Sequence, residues 1–252
     1  MNDEFSKYEE EGAYHWKALY DQKWFRQSPR LHARYDIPIR LLSIRLDLRE
    51  SVGLDVGCGD GVLLYKIKKR GGDVIGLDNS TEGLRLTEQK LGAHRVSSVP
   101  LVNSSCYDMP FDRASFDYVA GIELIEHLDD VDAFLDEVSR VLRPEGWFVC
   151  TTPNRTEDQL SDEVRDPFHV HEFIADELLE VLGRVFENTS VYGAYPKSLD
   201  EIYVRDKKLG YIDKAARLMF RTFSYSIFNP YVKWIENDPS GSNSLLVGVC
   251  QK

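Results

Sequence analysis

Three glycines at alternate positions, Gly57, Gly59 and Gly61, end an apolar run that begins at Val52. Helical spacing resumes at Leu63, Leu64 and Ile67. A strand, a tight turn and a helix are the expected elements. Glycine reaches backbone angles closed to other residues and lets a ligand approach the main chain. The unpaired N–H groups of the following helix point into the same space. Two carboxylates frame the turn. Asp55 precedes it, and Asp78 ends the run Val74-Ile-Gly-Leu-Asp78, 21 residues past Gly57 (78 − 57). That interval lets an acid at the end of a second strand meet a ribose. The chemistry so indicated is nucleoside binding. A Gly-rich turn without a ligand is one alternative. A nicotinamide dinucleotide site is another, although it uses G-x-G-x-x-G where this chain has G-x-G-x-G.

A second group of reactive side chains lies further along. Gly121-Ile-Glu-Leu-Ile-Glu-His-Leu128 holds Glu123, Glu126 and His127 as E-x-x-E-H, and Asp166-Pro-Phe-His-Val-His-Glu172 adds His169 and His171. Two carboxylates and a histidine within one turn, with a histidine from a loop, could bind a divalent ion. The same groups could move protons without a metal. Histidines that merely shape a helix start or line a loop are the plainer reading.

Leu54-Asp-Val-Gly-Cys-Gly-Asp-Gly61 together with Gly76-Leu-Asp78 resembles the first two motifs of the class I S-adenosylmethionine-dependent methyltransferases. The resemblance implies S-adenosyl-L-methionine as cofactor. Asp55, Gly57, Cys58 and Gly59 then surround its amino-acid part, Asp78 binds the ribose hydroxyls, Asn79 flanks the adenine, and Ile122 lines the cofactor beside the fourth strand. The family usually has Gly-Asp-Ala before Leu-Pro-Phe. Here the segment is Ser104-Ser-Cys-Tyr-Asp-Met-Pro-Phe111, with Ser105 in the place of the acid. Ser105, Asp108 or backbone groups near Cys106 must take over its contact. The segment Ser28-Pro-Arg-Leu-His-Ala-Arg34 resembles the part of ubiquinone-pathway O-methyltransferases where an arginine meets the cofactor carboxylate, which assigns that role to Arg34. The E-x-x-E-H run resembles both those enzymes and the small-RNA terminal 2′-O-methyltransferases, where it is associated with a metal. By this resemblance Glu123, Glu126, His127 and His171 are candidate ligands of a divalent cation such as Mg. His127, Glu123 and His169 are the candidate catalytic groups.

The elements that must position these residues alternate. Strands are expected at Val52–Val56, Val74–Leu77, about Val99–Val102, Phe116–Ala120, Trp147–Thr151, near Ser190–Tyr192 and at Ser244–Cys250. Helices are expected after the glycines up to Gly71-Gly72, from a Ser80 or Thr81 cap to about Gly92, from Asp130 to Leu142, and from Ala175 to Leu182. The apolar spacing of Phe134, Leu135, Val138, Val141 and Leu142 gives the third of these helices a buried face. This order implies an α/β, Rossmann-like, doubly wound, seven-stranded and mostly parallel sheet with helices on both faces. Residues 1–50 read as an N-terminal helical cap, with a helix starting near Pro38 because proline suits a first turn. Residues 51–194 and 241–252 form the core. Residues 195–240 read as a helical insertion or lid. Within it, Tyr211 to Ile235 places Lys214, Arg217 and Arg221 opposite Ile212, Ala216, Met219 and Phe223, a face for solvent, an anionic acceptor or peripheral membrane contact.

Composition narrows the partners. The 252 residues carry a formal charge of −11. Such a surface repels polyanions, which disfavours nucleic acid as a partner. No apolar run approaches the roughly 20 residues of a membrane span, and the acidic N-terminus is unlike a secretory signal. Four cysteines, Cys58, Cys106, Cys150 and Cys250, are widely spaced, as in reduced cytoplasmic proteins. The expected activity is methyl transfer to a small-molecule, glycan- or lipid-linked acceptor, at oxygen. The alternatives are a metal-assisted RNA 2′-O-methyltransferase and a cofactor-binding module without catalysis. Oligomeric state leaves no mark in the sequence.

Overall fold

The computed structural model describes residues 7–21, 29–96, 99–155, 168–196, 232–236 and 245–252. Three helices open the chain, α1 (Lys7–Glu11), α2 (Tyr14–Leu19) and α3 (Pro29–Ser43). Then come β1 (Val52–Val56), α4 (Val62–Lys68), β2 (Asp73–Asp78), α5 (Thr81–Ala93), β3 (Leu101–Asn103) and β4 (Phe116–Ile122). A 3₁₀ turn at Ile125–His127 leads to α6 (Val131–Val141), β5 (Leu142–Pro153), α7 (Ala175–Gly183), β6 (Asn188–Pro196), β7 (Val232–Glu236) and β8 (Leu245–Gln251).

The sheet runs β3-β2-β1-β4-β5-β8-β6-β7. The first five of these strands pair in parallel, and the pairs involving β8, β6 and β7 are antiparallel. The seven expected strands are all present, and β7 adds an eighth at the edge beyond β6. Within the region 195–240, expected as a helical insertion or lid, Val232–Glu236 is strand. The basic amphipathic helix read over Tyr211 to Ile235 otherwise lies outside the described residues.

Period-two alternation separates two cores. Tyr118, Ala120 and Ile122 of β4 face Trp16, Leu42, Leu63 and Ile67 from α2, α3 and α4. Leu54, Val56 and Val119 face Phe134, Val138, Leu178 and Leu182 from α6 and α7. The sheet is thus covered on both sides, as a parallel sheet requires. The described residues include no helix long and apolar enough to cross a membrane.

Two boundaries differ from the sequence reading. Helix α3 begins at Pro29, and Pro38 lies inside it. The first-turn rule for proline holds one proline earlier, and burial of Tyr35, Ile37, Ile39, Leu41 and Leu42 carries the helix past Pro38. Strand β5 begins at Leu142 directly after α6, since Leu142 pairs with Phe116 before a register shift. Pro144-Glu-Gly146 lies within the strand as an irregularity.

Candidate active site

Strand order reverses at β1, which has β2 on one side and β4 on the other. Ligands of open α/β sheets bind at the carboxyl ends of strands at such a point. The glycine turn follows β1 there. Gly57, Gly59 and Gly61 all have left-handed φ, 69°, 52° and 81°, which explains why glycine stands at each.

The turn is clamped from several elements. The Gly57 and Cys58 N–H groups donate to the Leu77 carbonyl of β2, at 2.8 and 3.1 Å. The Gly59 N–H donates to Asp78 Oδ2 at 2.7 Å, and the Ser80 N–H to Asp78 Oδ1 at 2.8 Å. From α5, the Thr87 hydroxyl donates to the Gly59 carbonyl at 2.7 Å. Asp78 is thus buried with its carboxylate oriented, each oxygen keeping a lone pair for a further donor. Burial raises its pKa, and the amide donors of Ser80, Gly59 and Asn79 hold it back. Asn79 next to it is exposed.

Asp55 is 2% exposed and its Oδ2 has no hydrogen-bond partner. Burial, and then the Asp78 charge, push its pKa well above the carboxylate range. A buried orphan carboxylate oxygen is costly unless a ligand satisfies it. The cofactor implied by the motif carries a sulfonium and an ammonium group, and Asp55 fits that charge. Packing also demands glycine in the turn, since a side chain at Gly57 would meet Leu124 at 2.9 Å.

Beyond β3, the Ser104 N–H donates to the Asp78 carbonyl at 3.2 Å, which ties this segment to the same strand ends. Ser105 Oγ accepts from the Tyr107 N–H at 3.1 Å and so closes a local turn. Cys106 is half-buried, and its thiol is pushed by burial up to about 11. Asp108 is exposed. Ile122 is buried at the end of β4.

The E-x-x-E-H residues divide into two groups. Glu123 has a left-handed φ of 51°. Its N–H donates to the Thr151 carbonyl at 3.0 Å, and its Oε2 lies 3.0 Å from Arg34 Nη1 of α3. Glu126 is 1% exposed, and neither of its oxygens makes a hydrogen bond. Thr152 lies near it without hydrogen-bond geometry. Burial, and then the Glu123 charge, raise the Glu126 pKa well above normal. His127 Nδ1 lies 2.8 Å from the Phe168 carbonyl, so it donates and leaves Nε2 as the basic nitrogen. His169 Nδ1 lies 3.0 Å from Glu172 Oε1, and its ring meets that of His127 edge-on at 5.0 Å. The Val170 and His171 N–H groups donate to the Glu126 carbonyl, so the loop that carries both histidines is pinned to the 3₁₀ turn.

Donor atoms of Glu126, His127 and His169 lie within 4.8 Å of one another. Of the expected ligands Glu123, Glu126, His127 and His171, this group contains Glu126 and His127. Glu123 is turned to Arg34, and His171 Nε2 lies 3.5 Å from Glu177. Arg34 correspondingly meets Glu123 in this structure. The carboxylate pairing keeps its guanidinium charged against the opposing effect of burial.

Sequence reading missed Thr87 and Thr151, which come from distant segments that no local pattern marks.

Residues 54–150 match a methyltransferase domain family. A protein of Mycolicibacterium smegmatis named a probable S-adenosylmethionine-dependent methyltransferase is 34% identical over 180 residues, 68% of this chain and 62% of its own length. A ubiquinone biosynthesis O-methyltransferase of Xanthomonas oryzae is 32% identical over 142 residues, 55% of this chain and 59% of its own. The chain thus spans about three-fifths of these two curated relatives. The fold is similar to that of Haemonchus contortus phosphoethanolamine N-methyltransferase 2, solved with S-adenosyl-L-methionine, with a TM-score of 0.63 at 16% identity over 98% of this chain and 58% of that one. With the glycine turn and both carboxylates at the strand ends, residues 54–150 of this chain form a methyltransferase domain of the class I S-adenosylmethionine-dependent kind.

Proposed function

We propose that the protein transfers a methyl group from S-adenosyl-L-methionine to an oxygen of a small-molecule, glycan- or lipid-linked acceptor. The cofactor, when bound, supplies a methyl on a positively charged sulfur, a leaving group that needs no further activation. The residues of this chain then have three tasks. Gly57 and Gly59 admit the cofactor to the main chain, Asp78 holds ribose hydroxyls, and Asp55 balances positive charge. The mouth beside β4 orients the acceptor, and orientation is the larger part of the effect in a displacement of this kind. His127 or His169 takes the proton of the acceptor hydroxyl, each ring being oriented through Nδ1 by the Phe168 carbonyl or by Glu172.

The observation that carries this reading is the pairing of an unsatisfied Asp55 oxygen with an oriented Asp78 at one turn. The oxygen acceptor is favoured by the E-x-x-E-H likeness and by the ubiquinone O-methyltransferase relatives. Calorimetry with S-adenosylmethionine tests the first part. Wild type should bind, and Asp78→Ala should lose affinity by about a hundredfold, as for loss of charged hydrogen bonds to two hydroxyls. Equal binding by the variant would remove the cofactor assignment.

A divalent cation is the alternative to a histidine base, because both Glu126 oxygens lack partners inside a cluster of donors. Glu126, His127 and His169 would hold it and it would lower the pKa of an acceptor hydroxyl. One oxygen and two nitrogen donors suit manganese, iron or zinc better than magnesium.

A further inference from the structure

Asp60, the residue between Gly59 and Gly61, takes no part in the roles above, yet it is 1% exposed. Flanking glycines at left-handed φ fix where its side chain points. It points at α2. Asp60 Oδ2 accepts the His15 N–H at 3.1 Å, and Oδ1 lies 3.1 Å from His15 Nδ1. The Trp16 indole N–H donates to the Asp60 carbonyl. Trp16 is fully buried against Tyr65 of α4 and His94 after α5. Both peptide-side faces of one turn residue thus fasten the N-terminal helices.

The fastening has a consequence one residue earlier. Tyr8 of α1 is 7% exposed, and its hydroxyl lies 1.9 Å from where a Cβ on Gly59 would stand. Tyr14 stacks on Tyr8 with ring centroids 5.6 Å apart. The turn residue that would touch the cofactor is therefore the one against which the cap rests. Its N–H is held by Asp78, its carbonyl by Thr87, and its open face by Tyr8.

Resting on the cofactor reading above, we infer that Asp60 is a positioning residue that couples closure of the N-terminal cap to S-adenosylmethionine binding, with Tyr8 as the cap's contact on the cofactor turn. Burial, with Tyr14, Asp60 and Asp78 nearby, raises the Tyr8 pKa, so its phenol remains a neutral donor. An Asp60 carboxylate bonded twice to one residue gives a charge-assisted clamp, and the main-chain bond ties it to the backbone of α2. Cap closure and cofactor binding then share free energy, and each must strengthen the other.

The experiment combines calorimetry with hydrogen–deuterium exchange of residues 7–21. In wild type, S-adenosylmethionine should slow exchange across that segment. His15→Ala, which keeps the main-chain bond, should weaken cofactor binding about tenfold, Asp60→Ala at least as much, and the double variant should lose no more than Asp60→Ala alone. His15→Asn keeps a side-chain donor and should retain most of the affinity and the protection, a rescue that a loss of folding would not show. Tyr8→Phe should weaken binding with the melting temperature unchanged. Additive losses, or unchanged affinity in His15→Ala with the cap still protected by cofactor, would overturn the coupling. Absence of binding by wild type would instead remove the cofactor reading beneath it. If Asp60→Ala does not fold, the His15 pair of variants decides alone.

Discussion

Arg34 and Glu123 meet across the mouth of the site at 3.0 Å, and the glutamate holds a backbone conformation that glycine usually takes. Strain of this kind persists only where the surroundings over-determine it. Thr151 does so here, through its carbonyl to the Glu123 N–H. Arg34 is the residue expected to meet the cofactor carboxylate, so the ion pair competes with that role. Glu123→Gln should weaken the pair and tighten S-adenosylmethionine binding several-fold. Arg34→Ala should loosen it about tenfold, as for a lost charged hydrogen bond. Isothermal calorimetry separates the two directions, and weaker binding by Glu123→Gln would assign the glutamate to the ligand instead.

Asp55 predicts a proton released on binding. Its carboxyl has a pKa raised in the folded chain by burial and by Asp78. A group of this kind adds stability below its ordinary pKa and loses that contribution as pH rises through the folded value. A bound cation reverses this by favouring the ionised form. Cofactor affinity should therefore rise with pH across the window above the ordinary carboxylate pKa of 3.8. Binding heats measured in two buffers of different ionisation enthalpy should show net proton release, and Asp55→Asn should abolish it. Identical heats in both buffers would count against charge balance by Asp55.

The contrast between these two sites shows what the sequence could reveal. The glycine turn, Asp55 and Asp78 are read from local spacing, because one βαβ unit makes the whole constellation. The strand limits Val52–Val56 and the Ser80 cap, which accepts from the Gly83 N–H, follow the same local rules. The mouth is different. Whether Glu123 or His169 joins Glu126 and His127 depends on a loop 40 residues away, and on Arg34 from α3 drawing Glu123 aside. The docking of Tyr8 and His15 on the turn likewise depends on contacts over about 45 residues. No periodicity encodes such pairings. Pro38 misled for a related reason, since burial overrode a local helix-start signal.

The cluster of Glu126, His127 and His169 makes a sharp prediction about metal. Manganese titrated against wild type should bind, with His127→Ala and His169→Ala each losing about ten- to a hundredfold, the usual scale for removing a supporting ligand interaction. His171→Ala should bind like wild type, because its ring is turned to Glu177 and Phe173. Glu126→Gln should also lose affinity while leaving cofactor binding unchanged, since Glu126 makes no bond to the glycine turn. Equal metal binding by wild type and His169→Ala would show that the cluster holds none, and proton transfer by the histidines alone would remain.

Acid should loosen the packing of α3 before it disturbs the sheet. His32 of α3 is 6% exposed, with Nδ1 3.3 Å from Lys66 Nζ, and Lys66 in turn meets Asp36 at 2.9 Å. Burial, and then the Lys66 charge, lower the His32 pKa from 6.5 to about 4, against the pull of Asp36 and a bond to the Leu19 backbone. The folded chain thus holds this imidazole neutral while the unfolded chain protonates it near 6.5. Its contribution is complete above that pH and erodes as pH falls toward 4, reaching about 3 kcal/mol at the acid end. Buried carboxyls with raised pKa, Asp55, Asp78 and Glu126, shift stability in the opposite sense over acid pH. The informative quantity is therefore the difference between wild type and His32→Gln, which removes one titration and keeps a polar side chain. Denaturant melts at pH 7 and pH 5 should show wild type losing roughly 2 kcal/mol more than the variant on acidification. Parallel losses in the two proteins would mean that His32 opens to solvent before it titrates.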